Sequence, residues 1–228
     1  MEKGDFVRVD FTGTVKATGD VFDTTSEEEA KRLGISNKDH KYGPVLVIVG
    51  AHMVPHGVED QLKEMKVGEE REFDLSPEKA FGPRSPKLVK IVSISKFRQK
   101  NISPVPGIFV DIDNMQAKVR SVSGGRVVVD FNHPLAGRDL HYKLKVVEQV
   151  KDPLEKARSF IKYYHIGGEA SLKEGTLTLR MEKPVQQDSF REFLEKSIKE
   201  WIPEVKELKI EGGPDKAKQA MPRAQGTQ

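Results

Sequence analysis

Seven residues, Phe131-Asn132-His133-Pro134-Leu135-Ala136-Gly137, impose a break between two stretches that read as strands. The β-branched run Arg126-Val127-Val128-Val129-Asp130 precedes them, and the alternating run Leu140-His141-Tyr142-Lys143-Leu144-Lys145-Val146 follows. Pro134 has a fixed φ and no N–H to donate, and Gly137 accepts positive φ, so the segment is a shaped connection between strands. Periodicity leaves open whether the strand at 138–148 pairs with the unit before it or with residues 1–85.

Alternation organises the N-terminal part as well. In Phe6 to Val15, Val7, Val9 and Phe11 share one face, while Arg8, Asp10 and Thr12 share the other, as in a half-buried strand. Val21-Phe22-Asp23 starts a second, short strand. The polar stretch 25–43 reads as a flap carrying a short helix, and Val45-Leu46-Val47-Ile48-Val49 as a buried strand. Val58, Leu62 and Met65 fall at i, i+4 and i+7, which predicts a short amphipathic helix ended by Gly68; Glu70 to Leu75 alternates again. Beyond the break at Gly82, Pro83 and Pro86, strands are expected over Ile108 to Ile112, Met115 to Val122 and Arg126 to Phe131, with a hairpin turn at Ser123-Gly124-Gly125.

A third unit has its own punctuation. Asp152-Pro153-Leu154-Glu155 combines an N-cap, a Pro at N1 and a Glu at N3, opening a helix to about His165. Leu177, Leu179 and Met181 mark a strand. Ser189-Phe190-Arg191-Glu192 reads as a capping box for a helix striped by Phe190, Phe193, Leu194, Ile198 and Trp201, and Val205 to Ile210 is a last strand. A unit this small sits near the lower limit for burying its own core, and a short sheet leaves open edges. Both points raise a homodimer through this unit as an expectation. Residues 213–228 are polar and patternless and are expected to be disordered.

Composition excludes several classes of function. Formal net charge is only +3, with basic and acidic residues interleaved, which argues against a nucleic-acid partner. No apolar run approaches the ~20 residues that span a bilayer, and the polar start has no apolar segment of a secretory signal behind it, so no membrane partner and a cytoplasmic location are expected. With no cysteine, disulfides, thiolate metal sites and thiol nucleophiles are excluded. His52 and His56 stand four apart, but Gly50 and Pro55 put them on a loop; no metal and no cofactor is expected.

The segment Asn132-His133-Pro134-Leu135-Ala136-Gly137 resembles a signature of SlyD-like FKBP-type peptidyl-prolyl isomerases, in which it marks the return from an inserted domain. Further matches stand in register over residues 4–82 and 132–150: Phe11 with Gly13, Val21-Phe22-Asp23-Thr24-Thr25, the spacing of Gly50 and Gly57, Ser76-Pro77-Glu78-Lys79-Ala80-Phe81-Gly82, and Tyr142. Each motif is weak alone, and singly the aromatic residues would read as core.

The resemblance, to an archaeal long-type member, implies an α+β fold: an FKBP-like antiparallel half-barrel wrapping a short helix (1–83 and 132–150), an inserted small β-domain (84–131) and a C-terminal α-β-α-β domain (151–212). It implies a pocket for an X–Pro bond formed by Phe11, Phe22, Asp23, Val54, Pro55, Val58, Phe81 and Tyr142, with Val45 in contact with substrate. It further implies that the insert acts as a chaperone surface for unfolded polypeptides, presenting Leu88, Val92, Ile94, Phe97, Ile108 and Phe109. Amide resonance sets a barrier of about 18–20 kcal/mol to X–Pro rotation. The planar ground state is the better hydrated one, so an apolar pocket favours the twisted state with no nucleophile, metal or base. His133 is assigned to the turn. The chain departs from the family pattern at Pro55, which lacks the usual N–H donor, at Phe81, which lacks a tyrosine hydroxyl, and at the small Val45 and Val58; together these imply a wider pocket that is poorer in donors. The expected function is therefore a folding isomerase that also holds clients; the alternative is a peptide-holding module with weak or lost isomerase activity.

Overall fold

In the computed structural model, residues 1–38, 41–182 and 188–212 are described. The expected disorder of 213–228 lies outside the described residues. The chain has a mixed α+β architecture with three sheets and few helices.

The first sheet is built around β1 (Phe6–Val15) and β9 (Leu140–Val150), which pair antiparallel along the whole of β1. β2 (Val21–Thr24) and β3 (Val45–Ile48) share the other edge of β1, one at each end, and β4 (Glu70–Leu75) pairs with the free edge of β9. The strand after Gly137 thus belongs with the N-terminal residues, which answers the question periodicity left open. Val9 lies opposite Val146, Phe11 opposite Leu144 and Gly13 opposite Tyr142. Helix α1 (Glu27–Arg32) sits in the flap, its N-cap Ser26 accepting from the Glu29 N–H. Helix α2 (His56–Glu64) places Val58 and Leu62, followed by Met65, into the core of this sheet. Gly57 permits that approach: a Cβ there would lie 2.4 Å from a methyl carbon of Leu75.

The second sheet has the order β5 (Val89–Ser93), β8 (Arg126–Asp130), β7 (Met115–Ser123), β6 (Phe109–Ile112), all antiparallel. Its core holds Phe97, Val110, Ala117, Val119, Val127 and Val129. Sequence reading had no strand at β5 and no helix at α3 (Ile94–Gln99). β5 is an edge strand whose Ile91 is exposed, so its apolar run lacks alternation, and a six-residue helix is too short to show a period.

Where the chain enters and leaves this sheet, Asn132 clamps the two crossings together. Its Oδ1 accepts the Ser85 N–H at 2.8 Å, and its Nδ2 donates to the Ser85 carbonyl at 3.0 Å and to Asp130 Oδ1 at 2.7 Å. The Gly137 N–H donates to the Gly82 carbonyl at 2.9 Å. Asp130 is buried and ion-paired with Arg84. Burial alone would raise its carboxyl, but the side-chain and backbone donors of Asn132, together with Arg84, hold it below the ordinary range.

The third unit runs α4 (Pro153–Tyr163), β10 (Gly168–Lys173), β11 (Thr176–Met181), α5 (Asp188–Trp201), β12 (Glu207–Glu211). This corrects the expected α-β-α-β order to α-β-β-α-β. The missed strand, β10, has only Ala170 and Leu172 as apolar residues. It pairs antiparallel with β11, whose other edge takes β12 in parallel. Asp152 caps α4 as expected, accepting the Glu155 N–H at 2.9 Å. Ser189 is not a cap: α5 begins at Asp188, so Ser189 lies inside the helix.

The core of this unit is not self-contained. Phe6 and Ile48 of the first sheet are fully buried in the same cluster as Ala157, Phe160, Leu177, Leu194, Ile198 and Ile202. Phe6 closes a core it shares with residues more than 150 positions away. Phe6→Ala is expected to cost about 3–5 kcal/mol in urea unfolding and to lower the stability of both units in one transition. Separate transitions, with only one of them shifted, would contradict the shared core.

Candidate active site

The pocket lies where β1, β2, the 51–55 loop with the start of α2, the turn after β4, and β9 converge, and it encloses a cavity of about 470 Å³. Phe11, Phe22, Asp23, Val45, Val54, Pro55, Val58, Phe81 and Tyr142, which the family resemblance implied for one site, all line it. Phe22 joins two walls of the cavity. Its ring meets Tyr142 edge-on at 5.8 Å and 76° and Phe81 at 6.5 Å and 88°. Such arrangements set the positive edge of one ring against the negative face of another. Behind Tyr142, Phe73 stacks at 5.9 Å and 11°, fixing the wall from outside.

The ring position of Phe22 depends on Gly13, because a Cβ at residue 13 would fall 2.4 Å from the Phe22 ζ carbon. Hydroxyls hold the strand from the other side. Thr25 Oγ1 accepts the Phe11 N–H and donates to Asp10 Oδ1, each at 3.0 Å, while Thr24 and Thr12 hydroxyls bond at 2.9 Å. The two threonines after Phe22-Asp23 are thus clamps that fix the aromatic position. The loop carrying Val54 and Pro55 is held by Glu59, whose buried carboxylate accepts the His52 N–H at 2.8 Å.

Tyr142 is buried, and its hydroxyl pKa is pushed well above the ordinary tyrosine value, first by burial and then by the charge of Asp23. It therefore remains a neutral donor at any physiological pH. His52 and His56 are each near one carboxylate, Glu59 and Asp60, and among the described residues no three His, Asp or Glu side chains gather as a metal ion requires.

Sequence reading missed part of the wall. His133, assigned to the turn alone, also stacks flat on Phe81 at 4.3 Å and 3° and lines the cavity, while its Nδ1 accepts the Leu135 N–H. Leu46, Met53, Leu135 and Tyr163 line it too. Nothing in their spacing signals this, because the first two sit among apolar neighbours and the others arrive from distant elements. Of the residues expected to present an apolar surface on the insert, Leu88, Ile108 and Phe109 are exposed, whereas Val92 and Ile94 are half-buried against the core. Phe97 must be corrected: at 3% exposure it is the anchor of that core and has no surface to offer.

The cavity is largely apolar and aromatic-walled, and the buried Tyr142 lines it with a neutral hydroxyl. The family profile described as FKBP-type peptidyl-prolyl cis-trans isomerase matches residues 1–97, and that of the FKBP26 IF domain matches residues 90–135. A short-type peptidyl-prolyl cis-trans isomerase of Methanocaldococcus jannaschii is 34% identical over 146 residues, spanning 64% of this chain and 92% of that protein. An FKBP-type 16 kDa peptidyl-prolyl cis-trans isomerase of Escherichia coli is 34% identical over 109 residues, 46% of this chain and 73% of its own length. The isomerase SlyD of Helicobacter pylori is 30% identical over 107 residues, 46% and 58% of the two chains. The chain belongs to the FKBP-type peptidyl-prolyl cis-trans isomerase family, and it is an enzyme of that type.

The raised Tyr142 hydroxyl makes a prediction about alkaline stability. Below about pH 10 both folded and unfolded chains keep this proton. Above it the unfolded chain ionises first, so stability falls by up to about 1.4 kcal/mol per pH unit from this group. Unfolding measured from pH 9 to 11 should show a shallower decline in Tyr142→Phe than in the unaltered chain; parallel declines would show that burial does not raise this hydroxyl.

Proposed function

We propose that the aromatic pocket is where this chain isomerises X–Pro bonds of unfolded polypeptides, and that the inserted sheet holds those polypeptides beside it. The observation that carries the first half is the convergence of Phe11, Phe22, Phe81 and Tyr142, from four separate segments, on one cavity. A proline ring entering between Phe22, Phe81 and Tyr142 leaves water behind. The planar amide, with its separated charge, loses more solvation there than the twisted amide does. Each ~1.4 kcal/mol of that difference is a tenfold gain in rate. Tyr142, neutral and buried, is a donor for a substrate carbonyl, and Asp23 at the exposed edge orients the polar backbone around it. No proton transfer is needed. Pro55 itself offers no N–H to a substrate carbonyl.

The second half rests on apolar exposure. Residues paired across strands share a face: Phe109 lies opposite Lys118, and Ile91 opposite Val128. Ile91 is 66% and Phe109 49% exposed, and both lie on the face away from Phe97 and Val127. Leu88, Val105, Ile108 and Met115 are exposed as well. An apolar set of this extent on a small sheet fits a surface for unfolded chains. We further propose that the chain is a long-type member of its family that acts in the cytoplasm; the presence of a third unit after β9 supports the first of these.

Two variants separate the halves. Phe22→Ala should reduce acceleration of proline-limited refolding at least about tenfold and leave protection against aggregation intact. Replacing 84–131 by a short loop should remove that protection and keep tetrapeptide turnover. An unchanged refolding rate in Phe22→Ala would refute the pocket; simultaneous loss of both functions on removing the insert would refute the division between them.

A further inference from the structure

Tyr163 reaches the isomerase pocket from outside the catalytic sheet. It is the last residue of α4 in the third unit, it lies beyond both matched spans, 1–97 and 90–135, and it lines the same cavity as Phe22 and Tyr142. At 41% exposure it is a residue of the mouth, where the buried Tyr142, at 4%, belongs to the interior.

It is backed by an aromatic chain that leads to the core. Tyr164 meets Tyr163 edge-on at 5.1 Å, packs on Phe160 at 4.7 Å and meets Phe193 at 5.3 Å, and Phe160 is fully buried in the shared core. Two other lining residues, Leu46 and Met53, pack against that same core. One wall of the pocket therefore rests on the third unit, and Tyr163 extends it outward. A tyrosine, with only two side-chain torsions, loses little conformational entropy when a ligand covers it, which suits it to recognition.

We propose that Tyr163 is a specificity-determining residue of the isomerase, contacting the side chain that flanks the substrate proline and favouring large apolar side chains there. This rests on the reading of the pocket as the prolyl site. The proline ring fills the interior between Phe22, Phe81 and Tyr142, so a flanking residue lies at the mouth. Tyr163, exposed at the mouth, is an aromatic side chain that such a flanking residue would meet.

The test is turnover of two tetrapeptide series by the full chain, one varied before proline and one after it. In one series, Tyr163→Ala should lower kcat/KM for leucine or phenylalanine by about tenfold relative to alanine, the size of an aromatic contact. Tyr163→Phe, which keeps the ring, should retain the preference. Tyr163→Ala with unaltered ratios in both series would overturn the proposal, because a purely structural role lowers all peptides alike. Phe22→Ala is run beside them: if it lowers turnover of every peptide while Tyr163→Ala shifts no ratio, only the role of Tyr163 falls. If Phe22→Ala lowers none, the pocket reading falls with it.

Discussion

Asn132 exchanges two hydrogen bonds with the backbone of a single residue, Ser85, and the working parts of this chain depend on that exchange. The chain leaves the catalytic sheet after β4, builds a separate four-stranded sheet, and must return in register to pair β9 between β1 and β4. A slip of one residue would turn every side chain of β9 to the opposite face. Tyr142 would then leave the pocket and Lys143 would enter it. Asn132 ties exit to return, Asp130 and Arg84 brace it, and Gly137 bonds back to Gly82 one turn later. Pro134 and Gly137 shape the remaining backbone. The same short segment sends His133 onto Phe81, so the crossing that sets the register also builds pocket wall.

The pocket itself is a packing problem solved at Gly13. Phe22 can stand over β1 only because residue 13 has no Cβ. The threonine hydroxyls then lock β2 in that position, and Phe73 backs Tyr142. Polar groups are present but are committed to holding backbone: Thr25 to Phe11, Glu59 to His52, His133 to Leu135. What faces the cavity is largely apolar, as a site that acts by desolvating an amide requires. The third unit adds to this arrangement, since its core closes over Phe6 and Ile48, the ends of the strands that frame the site.

Much of this was readable in the residues because alternation and punctuation coincide there. β1, β4, β7 and β9 alternate, β8 is a β-branched run, all five are bounded by glycine or proline, and α2 and α4 carry periodic apolar faces with clear ends. Where that coincidence fails, so did the reading. β5 and β10 are edge strands with few buried positions. α5 starts one residue before its expected cap. Phe97 looked like one of six apolar residues on the insert's surface, and only the folded chain shows that, of those six, it alone is buried in the insert's core. The pocket residues of the catalytic sheet were recognised through family register, since no periodicity separates a core phenylalanine from a pocket one. His133 and Tyr163 escaped because they arrive from a crossing and from another unit, over distances that sequence spacing does not encode.

The central claim is that holding and isomerisation act on one client in one chain. Joining two sites raises the effective concentration of a held client at the pocket to the millimolar range, roughly. The direct measurement compares proline-limited refolding of an unfolded protein by the full chain with refolding by an equimolar mixture of two variants. One variant lacks 84–131 and the other carries Phe22→Ala, so each function is present but on separate molecules. The account predicts that the full chain is faster by about tenfold or more at low micromolar concentration, while tetrapeptide turnover per intact pocket is equal. Equal refolding rates from the mixture and the full chain would contradict it.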